Sequence, residues 1–175
     1  NRSLLYKFIR LLYLFVYLMS RKSRERRKLI REREKLIRTD KNIRQAVRMW
    51  KSDPKRAEED YGHISKWDTS RVTNMNGLFA SWKLVDDISN WDVSSVKSMA
   101  HMFFESGFNG VISNWDVSSV KDMSYMFFES EFDGYISAWN VSYETFMTRM
   151  FQSSKFQGDI SGWNIPNFYK WNYQK

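Results

Sequence analysis

Apolar residues recur with a period of 24 residues from residue 64 onward, and a tryptophan marks every unit. Each tryptophan stands in the same frame, Ile-Ser-x-Trp followed by Asp or Asn. A fixed period between about 20 and 50 residues is typical of proteins in which one short unit stacks on copies of itself. The pattern predicts a solenoid over residues 63–175, with four full units and a shortened capping unit. The repeating tryptophans are Trp67, Trp91, Trp115, Trp139 and Trp163.

Within each unit the apolar pattern changes part-way. The segment Ile-Ser-x-Trp-Asp-Val predicts a short, bent strand, because Ile and Trp are three residues apart rather than two. The residues that follow place Val120, Met123, Met126 and Phe127 at i, i+3, i+6 and i+7, which is the spacing of one helix face. We therefore predict an α/β repeat solenoid of strand–helix units, 24 residues each, preceded by a long α-helical arm.

The N-terminal third of the chain has a different pattern. Residues 1–53 contain neither Gly nor Pro, so a long helix, bent or interrupted, is the simplest prediction. We divide this arm into an apolar helix over residues 1–20 and a basic amphipathic helix over residues 21–53. An acidic linker over residues 54–62 is expected to join the arm to the repeats.

An apolar stripe runs along the basic helix, with one member at every seventh position: Leu29, Leu36, Ile43 and Trp50. So narrow a stripe packs against a partner helix or against the side of the solenoid. The sequence leaves both interpretations open.

The apolar stretch at residues 3–19 is barely long enough to cross a hydrocarbon core of about 30 Å. Lys7 and Arg10 interrupt it. Three interpretations stand: a membrane anchor, a helix buried in a protein assembly, and a signal or interfacial helix. We expect the first, with membrane contact through residues 3–19.

Charge is unevenly distributed along the chain. Residues 1–60 contain 19 Lys and Arg against 8 Asp and Glu, whereas residues 61–175 contain 9 against 12. The basic segment 20–38 is either a solvated helix face or a contact for anionic lipid headgroups. Nucleic acid is less favoured, because this segment has no aromatic residue on which bases would stack. The candidate lipid or nucleic-acid contacts are Arg21, Lys22, Arg24, Arg26, Arg27 and Lys28.

The sequence offers no constellation typical of catalysis or of cofactor or metal binding. It contains no cysteine, and nothing pairs His63 with His101 as ligands or as a catalytic base. Asp or Asn follows each of the five repeating tryptophans, and the change to Asn in the last two units keeps the acceptor but removes the charge. That change favours a column that caps backbone amides over a carboxylate row that binds metal or substrate. We predict that the protein is not an enzyme and needs no cofactor.

The string Ile-Ser-Asn-Trp-Asp-Val-Ser-Ser-Val-Lys-Asp-Met-Ser-Tyr-Met-Phe, at residues 112–127, resembles the BspA-type leucine-rich-repeat surface proteins. These are a mycoplasma-type surface lipoprotein repeat family of unknown function. The resemblance covers about residues 64–171. It implies a leucine-rich-repeat-like solenoid of adhesive or protein-binding character, with no catalytic residue to carry over.

The chain departs from that family's pattern in three ways. The repeat array is short, a lipobox cysteine is absent, and the basic apolar arm has no counterpart in the family pattern. These departures favour a component of a larger membrane-linked assembly, such as an organelle complex or a virion shell, where it would be a minor capsid protein. We expect a non-enzymatic structural scaffold for protein–protein interaction, tethered by its N-terminal helix to a membrane or a large assembly. The alternatives are a cell-surface adhesin-like protein and a nucleic-acid-associated assembly protein that uses the basic arm.

Partner contacts are expected where the units differ from one another. Phe104 and Phe128 lie just off the apolar stripe, and the equivalent positions hold Ala80 and Gln152. A position that accepts Gln faces outward, so the two phenylalanines form a contact patch or pack against the N-terminal helix. The variable column with His101 should also face outward, and the aromatic tail caps the core or meets a partner. The candidate partner contacts are Phe104, Phe128, His101, Tyr125, Arg149, Tyr169 and Tyr173.

Overall fold

The computed structural model describes the backbone of residues 2–165 and the side chains of residues 12–165. The chain divides after Lys35 into two compact units. A 3-10 turn at Ile64–Lys66 precedes the last strand. The helices and strands, in chain order, are α1 (Arg2–Leu36), β1 (Ile37–Thr39), α2 (Ile43–Ser52), α3 (Pro54–Tyr61) and β2 (Asp68–Arg71).

The first unit contains the helix α1 as far as Lys35, and the 35 residues of this helix include no Gly or Pro. Arg33 and Lys35 lie in its last turn, where positive charge is favourable beside the free carbonyl groups. The apolar side chains at residues 12–19 are exposed. Along the part of the chain that the structure describes, no helix combines the length and the apolar character needed to cross a membrane. Membrane contact through residues 3–19 stays a prediction.

The helix predicted over residues 1–53 is interrupted by the strand β1. β1 pairs in parallel with β2, and Ile37 lies opposite Asp68. The β-branched Ile37 and Thr39 suit a strand, although no Gly or Pro marks the break. Pairing with a strand far along the chain therefore ends the helix, which a local sequence pattern does not reveal.

α2 packs against the repeats. One face of this helix is buried and consists of Ile43, Ala46, Val47 and Trp50. The indole Nε1 of Trp50 donates a hydrogen bond to the carboxylate of Asp86 at 3.0 Å. Docking of the apolar stripe on its own domain is confirmed for Ile43 and Trp50, whereas Leu29 on α1 is exposed.

The segment predicted as an acidic linker is a helix over most of its length, namely α3. Asp53 caps its start, since its carboxylate accepts a hydrogen bond from the amide of Arg56 at 3.0 Å. Pro54 stands in the first turn, where its missing N–H leaves no hydrogen bond unmade. Gly62 ends the helix with a φ of 71°. The linker prediction was wrong because Asp-Pro was interpreted as a breaker rather than as a helix start.

Asp40 caps the backbone of the first repeat. Its carboxylate accepts hydrogen bonds from the amides of Thr73 and Asn74 at 2.8 and 3.0 Å. Arg44 donates to the carbonyl of Asn76 at 2.6 Å. Burial raises the pKa of Asp40, but the hydrogen bonds from Thr73 and Asn74 and the charge of Arg44 outweigh it and lower that pKa. End units of repeat proteins need such caps, because their backbone groups have no preceding unit to pair with.

Equivalent residues of neighbouring units lie side by side in parallel. We number the units from their opening isoleucines as the first (64–87), second (88–111), third (112–135) and fourth (136–159). In the first unit, four alternate amides donate to carbonyls of the second at 2.8–2.9 Å, and the same four bonds join the second unit to the third and the third to the fourth. The donors in the first unit are Met75, Gly77, Phe79 and Ser81. One row of parallel bridges joins Asn74, Ser98, Asp122 and Phe146.

The second half of each unit, predicted as a helix, is a run of turns. In the first unit the amide of Leu78 donates to the carbonyl of Met75 at 3.2 Å, and that of Ala80 donates to Gly77 at 3.3 Å. Successive turns of this kind return every third residue to the same side, so their apolar spacing imitates that of a helix. The helix prediction was therefore wrong, whereas the inward orientation of the Val, Met and Phe positions is confirmed.

The turns require a left-handed backbone at two positions in each unit. φ is 61° at Gly77, and it is 52–57° at the equivalent His101, Tyr125 and Arg149. The second position has φ values of 51–59° and is held by Ser81, Glu105, Glu129 and Ser153. This conformation costs about 1–2 kcal/mol for a residue with a Cβ. The hydrogen bonds between units therefore hold these residues in the left-handed backbone conformation.

The tryptophans belong to the core and also join the units. All five are at most 4 % exposed. From the second unit onward, each indole Nε1 donates to the carbonyl of the isoleucine that opens the preceding unit, at 2.9–3.3 Å. A buried indole N–H needs an acceptor, and this carbonyl supplies it. The recurring tryptophans are therefore core residues, and their rings do not form an exposed row.

Two columns of stacked phenylalanines fill the space beside the tryptophans. Ring centroids in the first column, Phe79, Phe103, Phe127 and Phe151, are 5.5–5.6 Å apart. In the second column, Phe108, Phe132 and Phe156, they are 6.2–6.3 Å apart. An added Cβ at Gly134 would lie 2.7 Å from the ring of Phe132, so glycine is needed there to make room for the ring. The core is thus a set of columns along the repeat axis.

Candidate interaction surface

Four outward-facing rings lie together on the second and third units. The rings of His101 and Tyr125 stack with centroids 4.8 Å apart, and those of Phe104 and Phe128 stack at 5.1 Å. The two pairs are in contact, because the ring centroids of His101 and Phe104 lie 5.5 Å apart and those of Tyr125 and Phe128 lie 5.7 Å apart. The structure therefore brings together four of the predicted contact residues. We call this group the aromatic quartet.

The quartet lies at the surface, although its neighbours in the chain are core. His101 is exposed and the other three rings are half-buried. Phe103 and Phe127, directly before Phe104 and Phe128, are fully buried. The predicted outward orientation of all four quartet residues is confirmed. Packing of Phe104 and Phe128 against the N-terminal helix stays a prediction.

The two ends of the quartet differ. On the fourth unit, the guanidinium carbon of Arg149 lies 5.9 Å from the ring centroid of Tyr125, which is within the range of a cation–π contact. On the first unit, Gly77 takes the position equivalent to His101, and apart from its chain neighbours no atom lies within 4 Å of the place where its Cβ would be. Ala80 takes the position equivalent to Phe104. A guanidinium thus lies against one end of the quartet, whereas the equivalent positions on the first unit hold a glycine and an alanine.

Two carboxylates follow the quartet phenylalanines in the chain. Glu105 and Glu129 are exposed, and the amide of Glu105 donates to the carbonyl of Phe128 at 2.8 Å, so the two glutamates stand on neighbouring rows. Among the described side chains, neither carboxylate forms an ion pair or a side-chain hydrogen bond. Sequence analysis missed them. The available signal was the string Phe-Phe-Glu-Ser, which occurs in the second and third units only.

The aspartates that follow the tryptophans cap their own turns. Each accepts hydrogen bonds from the amide and hydroxyl of the serine two residues later, at 3.0–3.1 Å and 2.6 Å. The hydroxyl and amide of Ser118 lower the pKa of Asp116 in this way. The interpretation as a capping column is confirmed for Asp68, Asp92 and Asp116. Within residues 12–165, no three His, Asp or Glu side chains are grouped so as to hold a metal ion.

Comparison with known protein families gives a match over the repeats. A family model described as "Mycoplasma protein of unknown function, DUF285" matches residues 80–174, which is more than half of the chain. The chain belongs to this family. The family match includes both units that carry the quartet and both glutamates. No curated protein and no solved structure matches the chain.

The basic arm lies outside the family match. The six predicted contacts there are exposed on α1. At about 3.6 residues per turn they divide between two sides, with Lys22 and Arg26 on the opposite side from Arg24. Arg21 pairs with Glu25 at 3.0 Å. A shallow depression along one side of the helix is lined by Arg24, Arg27, Lys28, Arg31 and Glu32.

The aromatic tail is the remaining predicted contact. Tyr169 and Tyr173 lie outside the residues that the structure describes, although they fall within the family match. Their part in partner binding stays a prediction.

Proposed function

We propose that this protein is a non-enzymatic scaffold whose units form a solenoid and present an outer face to another protein. The aromatic quartet is the observation that carries the proposal. The same backbone accepts Gly77 and Ala80 in the first unit and Arg149 and Gln152 in the fourth, so the fold does not require rings at these positions. The resemblance of the repeat frame to BspA-type leucine-rich-repeat surface proteins supports a protein-binding role.

Clustered aromatic rings at a surface are suited to binding another protein. Aromatic residues are enriched at the centres of protein interfaces, and they bury much area with few rotatable bonds. The four rings already hold one another in place at 4.8–5.7 Å, so little side-chain entropy is lost when a partner covers them.

Photocrosslinking in the source cell tests this role. We would place benzoylphenylalanine at position 104 or 128 and, as a control, at the exposed Tyr135. A discrete protein adduct from positions 104 and 128, and none from position 135, is the expected result. Adducts that form equally from all three positions would contradict a specific face.

We propose in addition that α1 tethers the scaffold to a membrane surface or a larger assembly. Its exposed apolar residues 12–19 are followed directly by the basic segment, a combination that suits binding to an anionic surface. Replacement of Arg24, Arg27, Lys28 and Arg31 by Gln should reduce co-sedimentation with phosphatidylserine vesicles. Unchanged co-sedimentation, or equal binding of the parent to phosphatidylcholine vesicles, would contradict this attachment.

A further inference from the structure

We infer that the outer face takes an arginine-bearing segment of another protein, whose guanidinium groups lie against the aromatic quartet and pair with Glu105 and Glu129. The inference rests on the proposed scaffold function, because it names the chemistry of the partner that binds the same face.

The two glutamates are the first line of support. They stand on neighbouring rows without a cation, and like charges placed side by side in this way oppose folding. Each also has a left-handed backbone, with φ of 52° and 51°. The equivalent Ser81 and Ser153 adopt the same conformation without charge, so the fold does not need carboxylates there. A cation from outside would remove the repulsion between them.

The quartet itself supplies the second line, because it already holds one guanidinium. Arg149 lies over the ring of Tyr125 at one end of the stack. At the other end, in the row next to His101, the place of a Cβ on Gly77 is open. Planar guanidinium groups stack on aromatic faces while their N–H groups remain free to bind carboxylates. A second arginine at the open end would repeat the arrangement that the protein makes with Arg149.

The charge around the quartet selects among partners. Glu105 and Glu129 together outweigh the single positive charge of Arg149 beside the quartet. Phosphate groups are therefore disfavoured, and the face does not suit nucleic acid. An acidic segment is disfavoured for the same reason. Lysine would pair with the carboxylates but lacks the planar group that stacks on rings, so arginine fits both features of the face.

A peptide titration tests this assignment on the full chain. The probe is a fluorescein-labelled Gly-Arg-Gly-Arg-Gly peptide, and its anisotropy reports binding. We expect the parent to bind it and the Lys-containing counterpart to bind more weakly. The double variants Phe104→Gln/Phe128→Gln and Glu105→Gln/Glu129→Gln should each lose about tenfold or more in affinity. The first removes rings on which a guanidinium would stack, and the second removes the carboxylates with which it would pair.

A charge-matched control separates this face from general attraction. Glu131 and Glu144 each pair with an exposed lysine, at 3.9 and 3.3 Å. The variant Glu131→Gln/Glu144→Gln removes the same charge and should leave affinity for the peptide unchanged. An equal loss in this control, or equal binding of a Gly-Glu-Gly-Glu-Gly peptide, would overturn the inference.

The melting temperature distinguishes a binding role of the two glutamates from a structural one. Glu105→Gln/Glu129→Gln should keep or raise the melting temperature while it loses peptide binding. A lower melting temperature would show that the glutamates serve the fold and would overturn the inference.

Failure of this inference can be distinguished from failure of the scaffold role. If the parent does not bind the peptide but adducts still form from positions 104 and 128, the arginine assignment is wrong and the scaffold stands. If neither binding nor adducts occur, both fall. Self-association that Glu105→Gln/Glu129→Gln abolishes would assign the face to a second copy of the chain and would also overturn the inference.

Discussion

Two pairs of phenylalanines stand next to each other in the second and third units and face opposite ways. Phe103 and Phe127 are fully buried in a column that is phenylalanine in all four units. Phe104 and Phe128 lie half-buried on the outside, in a column that holds Ala80 in the first unit. Both pairs stack across the same two rows, at 5.5 and 5.1 Å. Stacking alone therefore does not distinguish the core from the outer face.

Uniformity along a column distinguishes the two regions instead. A column that holds one residue type in every unit fills a space that the repeat requires. In a column that changes from unit to unit, the backbone conformation is kept although the side chains differ. The fold therefore does not require any one side chain there, and these positions can be used for binding. The predictions below test this division between an inner region that stabilises the fold and an outer region that does not.

The largest effect should come from the inner column. Phe127→Ala removes a fully buried ring that stacks on Phe103 and on Phe151, and a cavity remains in a column of rings. We expect a loss of about 3–5 kcal/mol in the free energy of unfolding, measured in urea. Phe146→Ala is the matched control, because Phe146 is 64 % exposed, and its loss should stay below about 1 kcal/mol. Equal losses would remove the distinction between inner and outer columns.

The tryptophan hydrogen bond should come next. Trp139→Phe leaves the carbonyl of Ile112 without its donor, which lies at 3.0 Å in the parent. An unsatisfied buried acceptor and a smaller ring together should cost about 2–3 kcal/mol. Trp82→Phe changes a half-buried tryptophan outside the column and is the control, with a smaller expected loss in the same urea experiment. Similar losses at both positions would mean that the bond between units contributes little.

The sequence predicts the inner region well because its signals repeat. The 24-residue period locates the buried Trp, Met and Phe positions, and the exchange of Asp for Asn identifies the capping column. Equivalent positions in all units have the same structural environment, so a residue type that recurs in every unit indicates a structural requirement.

The secondary structure could not be predicted in the same way. Turns with i+3 hydrogen bonds reproduce the apolar spacing of a helix, and only Gly77 pointed to the left-handed backbone that distinguishes them. β1 was hidden because its pairing with β2 is not local. Asp53 and Pro54 are typical of a helix start, although Asp-Pro also occurs in linkers, which is how the segment was predicted. In the outer region, the repeat pattern does not single out Glu105 and Glu129, because the equivalent positions in the other units hold Ser81 and Ser153.

The cap on the first repeat should have a smaller effect than the core. Asp40→Ala leaves the amides of Thr73 and Asn74 without their acceptor, and a loss of about 1–2 kcal/mol is expected at neutral pH. The folded protein lowers the pKa of Asp40, so its contribution is complete above the unfolded pKa of about 4 and is lost as the pH falls through the folded pKa. Urea unfolding between neutral and acidic pH should therefore show a flatter pH dependence in the variant than in the parent.

The control for this prediction removes the same charge elsewhere. Glu59→Gln changes an exposed carboxylate on α3 and should alter the free energy of unfolding by less than about 0.5 kcal/mol. A pH dependence of Asp40→Ala as steep as that of the parent would mean that this carboxylate does not hold the cap.

The smallest effect on stability should come from the quartet, and it tests the central division most directly. The measurement is urea unfolding of Phe128→Gln, which places in the third unit the residue that the fourth unit holds at Gln152. The loss should not exceed about 1 kcal/mol, since only the ring contacts with Phe104 and Tyr125 disappear. A loss as large as that of Phe127→Ala would show that the quartet belongs to the core and would contradict an outer face reserved for binding.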